Sequence, residues 1–118
     1  MAELIQDDLE LKGLEQFIST EQYYDVLGFN VTDGVKYIMD NGYSWFVTDV
    51  LAVIKCKKNV SREEFLSIKF DVLGQTGKVI ITDGNEKTLY TQDYDYTDAK
   101  RSLHLYFTNG VLLLSGEY

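Results

Sequence analysis

The chain contains no proline, one cysteine and one histidine. A single thiol makes no internal disulfide, so packing alone must close the fold, and a reducing cytoplasm is the natural compartment. One histidine and one cysteine are also too few for a zinc centre, which takes four ligands drawn mainly from those types. No stretch approaches the roughly 18 successive apolar residues of a membrane-spanning helix. The opening residues MAELIQDDLE carry acids, where a secretory leader carries bases and an apolar run. Positive charge is scarce as well. Eleven Lys and Arg stand against 19 Asp and Glu, for a net charge of −8. That argues against general binding to nucleic acid or anionic membrane, because phosphate contacts need Lys and Arg.

What is present suffices for a globular fold. Hydrophobic residues make up 45% and charged residues 25% of the 118 positions, which is ordinary usage. One domain over residues 1–118 is expected, burying about two-thirds of the surface its unfolded chain exposes.

The hydrophobic period changes along the chain. In residues 2–18, Leu4, Ile5, Leu9, Leu11, Leu14, Phe17 and Ile18 spread around a helical wheel, interrupted by Gly13, which predicts a helix there. STEQYYDVLGFNV reads either as a helical turn or as a short extended piece ending at Gly28. Thr32 or Asp33 can cap a helix start, and Asn41-Gly42 offers a left-handed stop. Phe46, Val47, Val50, Leu51, Val53 and Ile54 then share one arc of an amphipathic helix that ends in lysines. Ser61 with Glu64 fits a capping box.

After that the period is two. Leu66, Ile68, Phe70 and Val72 alternate with Ser67, Lys69 and Asp71, the pattern of a half-buried strand. GQTG, DGNE and TNG punctuate the remaining strands, the last as a hairpin signal. The expected fold is α+β: N-terminal helices packed on one face of a C-terminal four- to five-stranded antiparallel sheet.

The stretch TDGVKYIMDNGYSWFVTDVLA, Thr32 to Ala52, resembles the signature of a family of small uncharacterised proteins of bacteria, phages and mobile elements. STEQYY, Ser19 to Tyr24, and NGVLLLSGEY, Asn109 to Tyr118, are similar to its other two signature stretches, so the resemblance reaches across most of the chain. Ser115 stands where members tend to carry proline. The family is one of unknown function. The resemblance implies a setting in phages and mobile elements and transfers no functional residue.

Catalytic chemistry finds little support. Cys56 lies between Lys55 and Lys57, which favours a thiolate, but only His104 is available as an imidazole base and it falls on an outward strand position. GQTGK, Gly74 to Lys78, is too short for a phosphate loop and reads as a hairpin. Asp93, Asp95 and Asp98 lack the glycine and the closing glutamate of a calcium loop. No metal, cofactor or enzymatic activity is expected.

Charge and tyrosine point elsewhere. From Met1 to Ile54 there are ten acids and two bases, whereas Lys55 to Tyr118 is balanced at nine of each. The whole excess therefore sits in the first half, and the eye-catching YTQDYDYTD, Tyr90 to Asp98, is not its seat. Nine tyrosines serve equally as strand residues or as interface anchors. The expected function is a non-enzymatic acidic binding protein from a phage or mobile element, an inhibitor that masks a basic nucleic-acid-binding surface of a host defence protein in the cytoplasm. Carboxylates spaced in this way imitate phosphate charge. Glu3, Asp7, Asp8, Glu10, Glu15, Glu21 and Asp25 are the candidate carriers. The alternatives are a domain that sequesters a small ligand or nucleotide in a pocket near Asp33, Lys36, Tyr37 and Trp45, and a housekeeping interaction module whose acidity serves solubility.

Overall fold

The computed structural model describes residues 19–85, 87–97, 99 and 101–118. The helix expected over residues 2–18 lies outside them. The described chain opens with strand β1 (Tyr23–Val26) and strand β2 (Phe29–Thr32). Helix α1 (Asp33–Ile38) follows at once, and Met39–Tyr43 leads into helix α2 (Ser44–Cys56). A short helix α3 (Lys58–Ser61) precedes β3 (Phe65–Leu73), β4 (Thr76–Thr82), β5 (Thr88–Tyr94), β6 (Leu103–Thr108) and β7 (Val111–Leu114).

The strands form one seven-stranded sheet in the order β1-β2-β7-β6-β3-β4-β5. Neighbours run antiparallel except β2 and β7, which are parallel with Asn30 opposite Val111 and Val31 opposite Leu112. The expected four- to five-stranded antiparallel sheet is therefore part of a larger, mixed one. Strands β3 to β7 match it. The first half of the chain adds two more, because YYDVLGFNVT is extended and folds back on itself at Leu27-Gly28. Both turn residues are left-handed, with φ of 54° and 86°. This is the geometry that matches strand twist in a two-residue hairpin. Asn109-Gly110, with φ of 53° and 75°, makes the same turn between β6 and β7.

Period-two patterning sets which sheet face is dry. Leu66, Ile68 and Phe70 of β3 are buried, as are Val79 and Ile81 of β4, Leu105 of β6, Leu112 of β7 and Val31 of β2. Register brings these residues to one face, where the helices pack. From α1 and α2, Val35, Ile38, Phe46, Val47, Val50, Leu51 and Ile54 close the core. Phe46 stacks on Phe70 with ring centroids 4.7 Å apart. Each such side chain contributes about 1.5–3 kcal/mol by leaving water.

The opposite face is more polar. It carries Ser67 and Lys69 of β3, Lys78 of β4, and His104 and Tyr106 of β6. Tyr118 folds onto it, its ring 5.6 Å from Phe65 and 5.1 Å from Tyr106.

Two local readings need adjusting. Asn41 and Gly42 do leave helical geometry, with Gly42 at φ 101°, but α2 begins again immediately. They make a corner between two helices. Ser61 does not open a helix with Glu64. It closes α3, donating its hydroxyl to the carbonyl of Lys58 at 3.4 Å, because burial of Val60 holds that turn against the core and the chain then goes straight into β3. Among the described residues no helix is long and apolar enough to cross a membrane.

Candidate functional site

The Thr32-Asp33-Gly34 junction, where β2 hands over to α1, gathers a cluster of polar contacts within the sequence signature. Thr32 is extended, with φ −84° and ψ 174°, and its hydroxyl accepts from the Val35 N–H at 3.4 Å. This is the expected helix cap. The same hydroxyl donates to Oε1 of Glu117 at 2.6 Å. The Leu114 N–H donates to that oxygen at 3.0 Å, and the Gly34 N–H donates to Oε2 at 3.1 Å. A carboxylate from the far end of the described chain thus satisfies a free N–H at the start of α1. Glycine at 34 leaves room for this: a Cβ there would lie 2.5 Å from Cδ1 of Leu114 and 2.7 Å from Oε1 of Glu117, and those side-chain ends would have to shift.

Asp33 faces the other way, toward the segment before β1. Its Oδ2 accepts from the Glu21 N–H at 2.9 Å and its Oδ1 from the Tyr24 hydroxyl at 3.2 Å, while its own N–H donates to Oγ1 of Thr20 at 2.9 Å. The Glu21 N–H is the main reason the Asp33 carboxyl is held below its usual value, with the Tyr24 hydroxyl adding to it. Burial, then the bond to Asp33, pushes the Tyr24 phenol up. Lys36 lies with Nζ 5.8 Å from the centre of the Tyr24 ring and pairs with Asp40 at 2.7 Å.

The four residues of the alternative pocket divide between two neighbourhoods. Asp33 and Lys36 meet around Tyr24. Trp45 instead packs edge-on to Phe46, Phe70 and Tyr94, with centroids 6.1, 5.9 and 5.3 Å away. Tyr94 donates its hydroxyl to Oδ2 of Asp49 at 3.0 Å, and burial together with that bond raises its pKa well above the ordinary tyrosine value. Tyr37 is half-buried, and its carbonyl accepts from the side chain of Asn41 at 2.7 Å.

Of the candidate acidic carriers, Glu3, Asp7, Asp8, Glu10 and Glu15 lie outside the described residues. Glu21 and Asp25 are exposed. Asp25 sits in β1, at the end of the sheet. Along β1 the exposure alternates: Tyr23 and Asp25 are open to solvent, while Tyr24 and Val26 are half-buried toward the helices. Tyr23 keeps 59% of its surface exposed and Leu27, at the adjoining turn, 47%. Large apolar side chains left open beside acids are a small interface-like patch.

Sequence reasoning passed over one more pair. Oγ of Ser67 and Nε2 of His104 are 2.8 Å apart on the polar sheet face. Burial, and then the nearby Lys69, lowers the His104 pKa, so the imidazole is neutral at neutral pH. Lys69 lies directly opposite His104 in the register. Cys56 is exposed at the end of α2, on the helical side of the sheet, so the sheet separates it from this imidazole. Among the described residues no group of three His, Cys, Asp or Glu is placed to hold a metal ion.

These features define a small α+β domain built on a seven-stranded mixed sheet, with the β1–β2 hairpin at one edge. A family of unknown function, DUF6876, matches residues 8–118, and the chain belongs to that family. No curated protein and no solved structure matches it.

Proposed function

We propose that this protein is a binding domain that attaches to a basic surface of another protein and performs no chemistry of its own. One observation carries the reading. In the strand that ends the sheet among the described residues, the exposed Tyr23 is flanked in sequence by two exposed acids, Glu21 and Asp25. A tyrosine brings large rigid contact area, and flanking acids steer a basic partner toward it. In the sequence the first 54 residues carry the entire net charge of −8, the same sign as these two carboxylates. The polar groups of Asp33 and Lys36 are already engaged with Glu21, Tyr24 and Asp40, which favours a surface role over ligand capture at that junction.

On this reading the chain works in the cytoplasm as an inhibitor encoded by a phage or mobile element. It covers the nucleic-acid-binding surface of a host defence protein, its carboxylates standing where phosphates would. The test is capture of a partner on the immobilised protein, followed by a salt titration and the double variant Glu21→Lys, Asp25→Lys. Capture should fall steeply with salt and vanish in the double variant, whose melting temperature stays near that of the wild type. Capture indifferent to both salt and charge reversal would sink the reading.

A further inference from the structure

The two ends of the sheet are treated differently. At the β5 end, α3 lies alongside the strand and Nδ2 of Asn59 donates to the Leu89 carbonyl at 2.9 Å. A side chain thus occupies that edge, one of the ways proteins protect a strand from further pairing. At the β1 end, no strand among the described residues pairs with the outer side. The register fixes which groups face outward there. Val26 and Phe29 flank the two-residue turn and form the closing pair. The next pair, Asp25 and Asn30, is then one whose backbone groups point away from each other. The Asn30 N–H does point away, donating to the Gly110 carbonyl at 2.9 Å. Asp25 must therefore turn its N–H and C=O outward, and so must Tyr23, two residues earlier.

We propose that β1 accepts an added strand from the partner: an extended basic segment with Lys or Arg at alternate positions. It would form backbone hydrogen bonds to Tyr23 and Asp25, set its bases near Glu21 and Asp25, and lay an intervening side chain on the Tyr23 ring. Strand addition of this kind draws affinity from main-chain bonds and specificity from alternate side chains. Charge selects the occupant. A second copy pairing through the same edge would place acids against acids across a two-fold axis, whereas a basic strand meets opposite charge. The inference rests on the reading that the partner is basic, and it adds how that partner is held.

The probe is a synthetic peptide alternating lysine and valine, compared with the same peptide N-methylated on alternate amides and with a glutamate-for-lysine version. Binding and amide hydrogen exchange are read on the full chain at low salt. The lysine peptide should bind and slow exchange at the Tyr23 and Asp25 amides by about tenfold or more. The methylated and glutamate peptides should fail. Asp25→Pro, which removes only an outward N–H from the ladder, should abolish protection at Tyr23, and Asp25→Lys should weaken binding whether or not the proline variant folds. If the lysine and methylated peptides bind equally, with salt sensitivity but no protection at Tyr23 and Asp25, strand addition is wrong and the acidic-surface reading stands. If the lysine peptide does not bind at low salt, both fall.

Discussion

The hydroxyl of Thr32 donates to Oε1 of Glu117 at 2.6 Å, joining residues 85 positions apart. The bond sits where β2 becomes α1, so one carboxylate holds a helix start, a strand end and the closing turn together. Removing that carboxylate leaves the Gly34 and Leu114 N–H groups and the Thr32 hydroxyl without their acceptor. Glu117→Ala should destabilise the fold by about 1–3 kcal/mol, the range for stranding partly buried hydrogen-bond partners. Thr32→Val should cost about 1 kcal/mol or more through the lost cap. Denaturant unfolding of both and of the double variant gives the coupling. Additive effects would show that the two residues do not act as a unit.

Asp33 sets an acid-side limit. Its folded pKa lies below the ordinary 3.8. The sign follows from linkage: the stabilisation is present above the unfolded value and is lost as pH falls through the lowered folded value. Melting temperatures of wild type and Asp33→Asn, measured from neutral to strongly acid pH, should differ most near neutrality and converge in acid. Parallel curves would contradict this.

His104 acts in a higher window. Burial lowers its folded pKa below the ordinary 6.5, so the fold favours the neutral imidazole. Stability from this group is full above the unfolded value and declines as pH drops through 6.5 to the folded value. His104→Gln should flatten that part of the profile. An imidazole titration followed by NMR should place the midpoint below 6.5; a midpoint above it would refute the assignment.

Leu27 is left-handed at φ 54° and 47% exposed. A branched apolar residue pays steric strain there that asparagine largely avoids, so Leu27→Asn should stabilise the hairpin by about 1 kcal/mol. Nζ of Lys55 donates at 3.4 Å to the backbone carbonyl of residue 27, so that bond survives the change. If Leu27 also touches the partner, the same variant will bind more weakly while melting higher. Thermal unfolding and binding measured together separate the two effects.

The later strands could be read from sequence because their patterning and turns are local, although β6 pairs with the distant β3 rather than with β5. Leu66, Ile68 and Phe70 alternate with polar residues, and Asn109-Gly110 names its own turn. The arc of α2 was equally plain: Phe46, Val47, Val50, Leu51 and Ile54 are buried as that arc predicts, and Val53 is half-buried at its margin. The β1–β2 hairpin was not plain. Leu-Gly carries no hairpin signature, and the pairing that makes β2 an interior strand is with β7, far away in sequence and parallel. The acceptor role of Glu117 was hidden for the same reason: a glutamate near three free donors looks like any other glutamate until the chain is folded. At the candidate site, composition pointed to the acidic half. The exposure of Tyr23 and the outward backbone of β1 needed the register.

The parallel pairing of β2 with β7 also orders events in time. Synthesis proceeds from the N-terminus, so the β1–β2 hairpin is made before the strand it must join. Until Val111 and Leu112 emerge, Asn30 and Val31 have no ladder partner on that side, and an isolated two-stranded hairpin is marginal in water. Non-local pairings of this kind form late and slowly. The hairpin that carries the exposed Tyr23 therefore takes its final form only with the last strand. A chain that stalls before residue 111 should leave residues 23–32 open to protease, whatever the state of its helices.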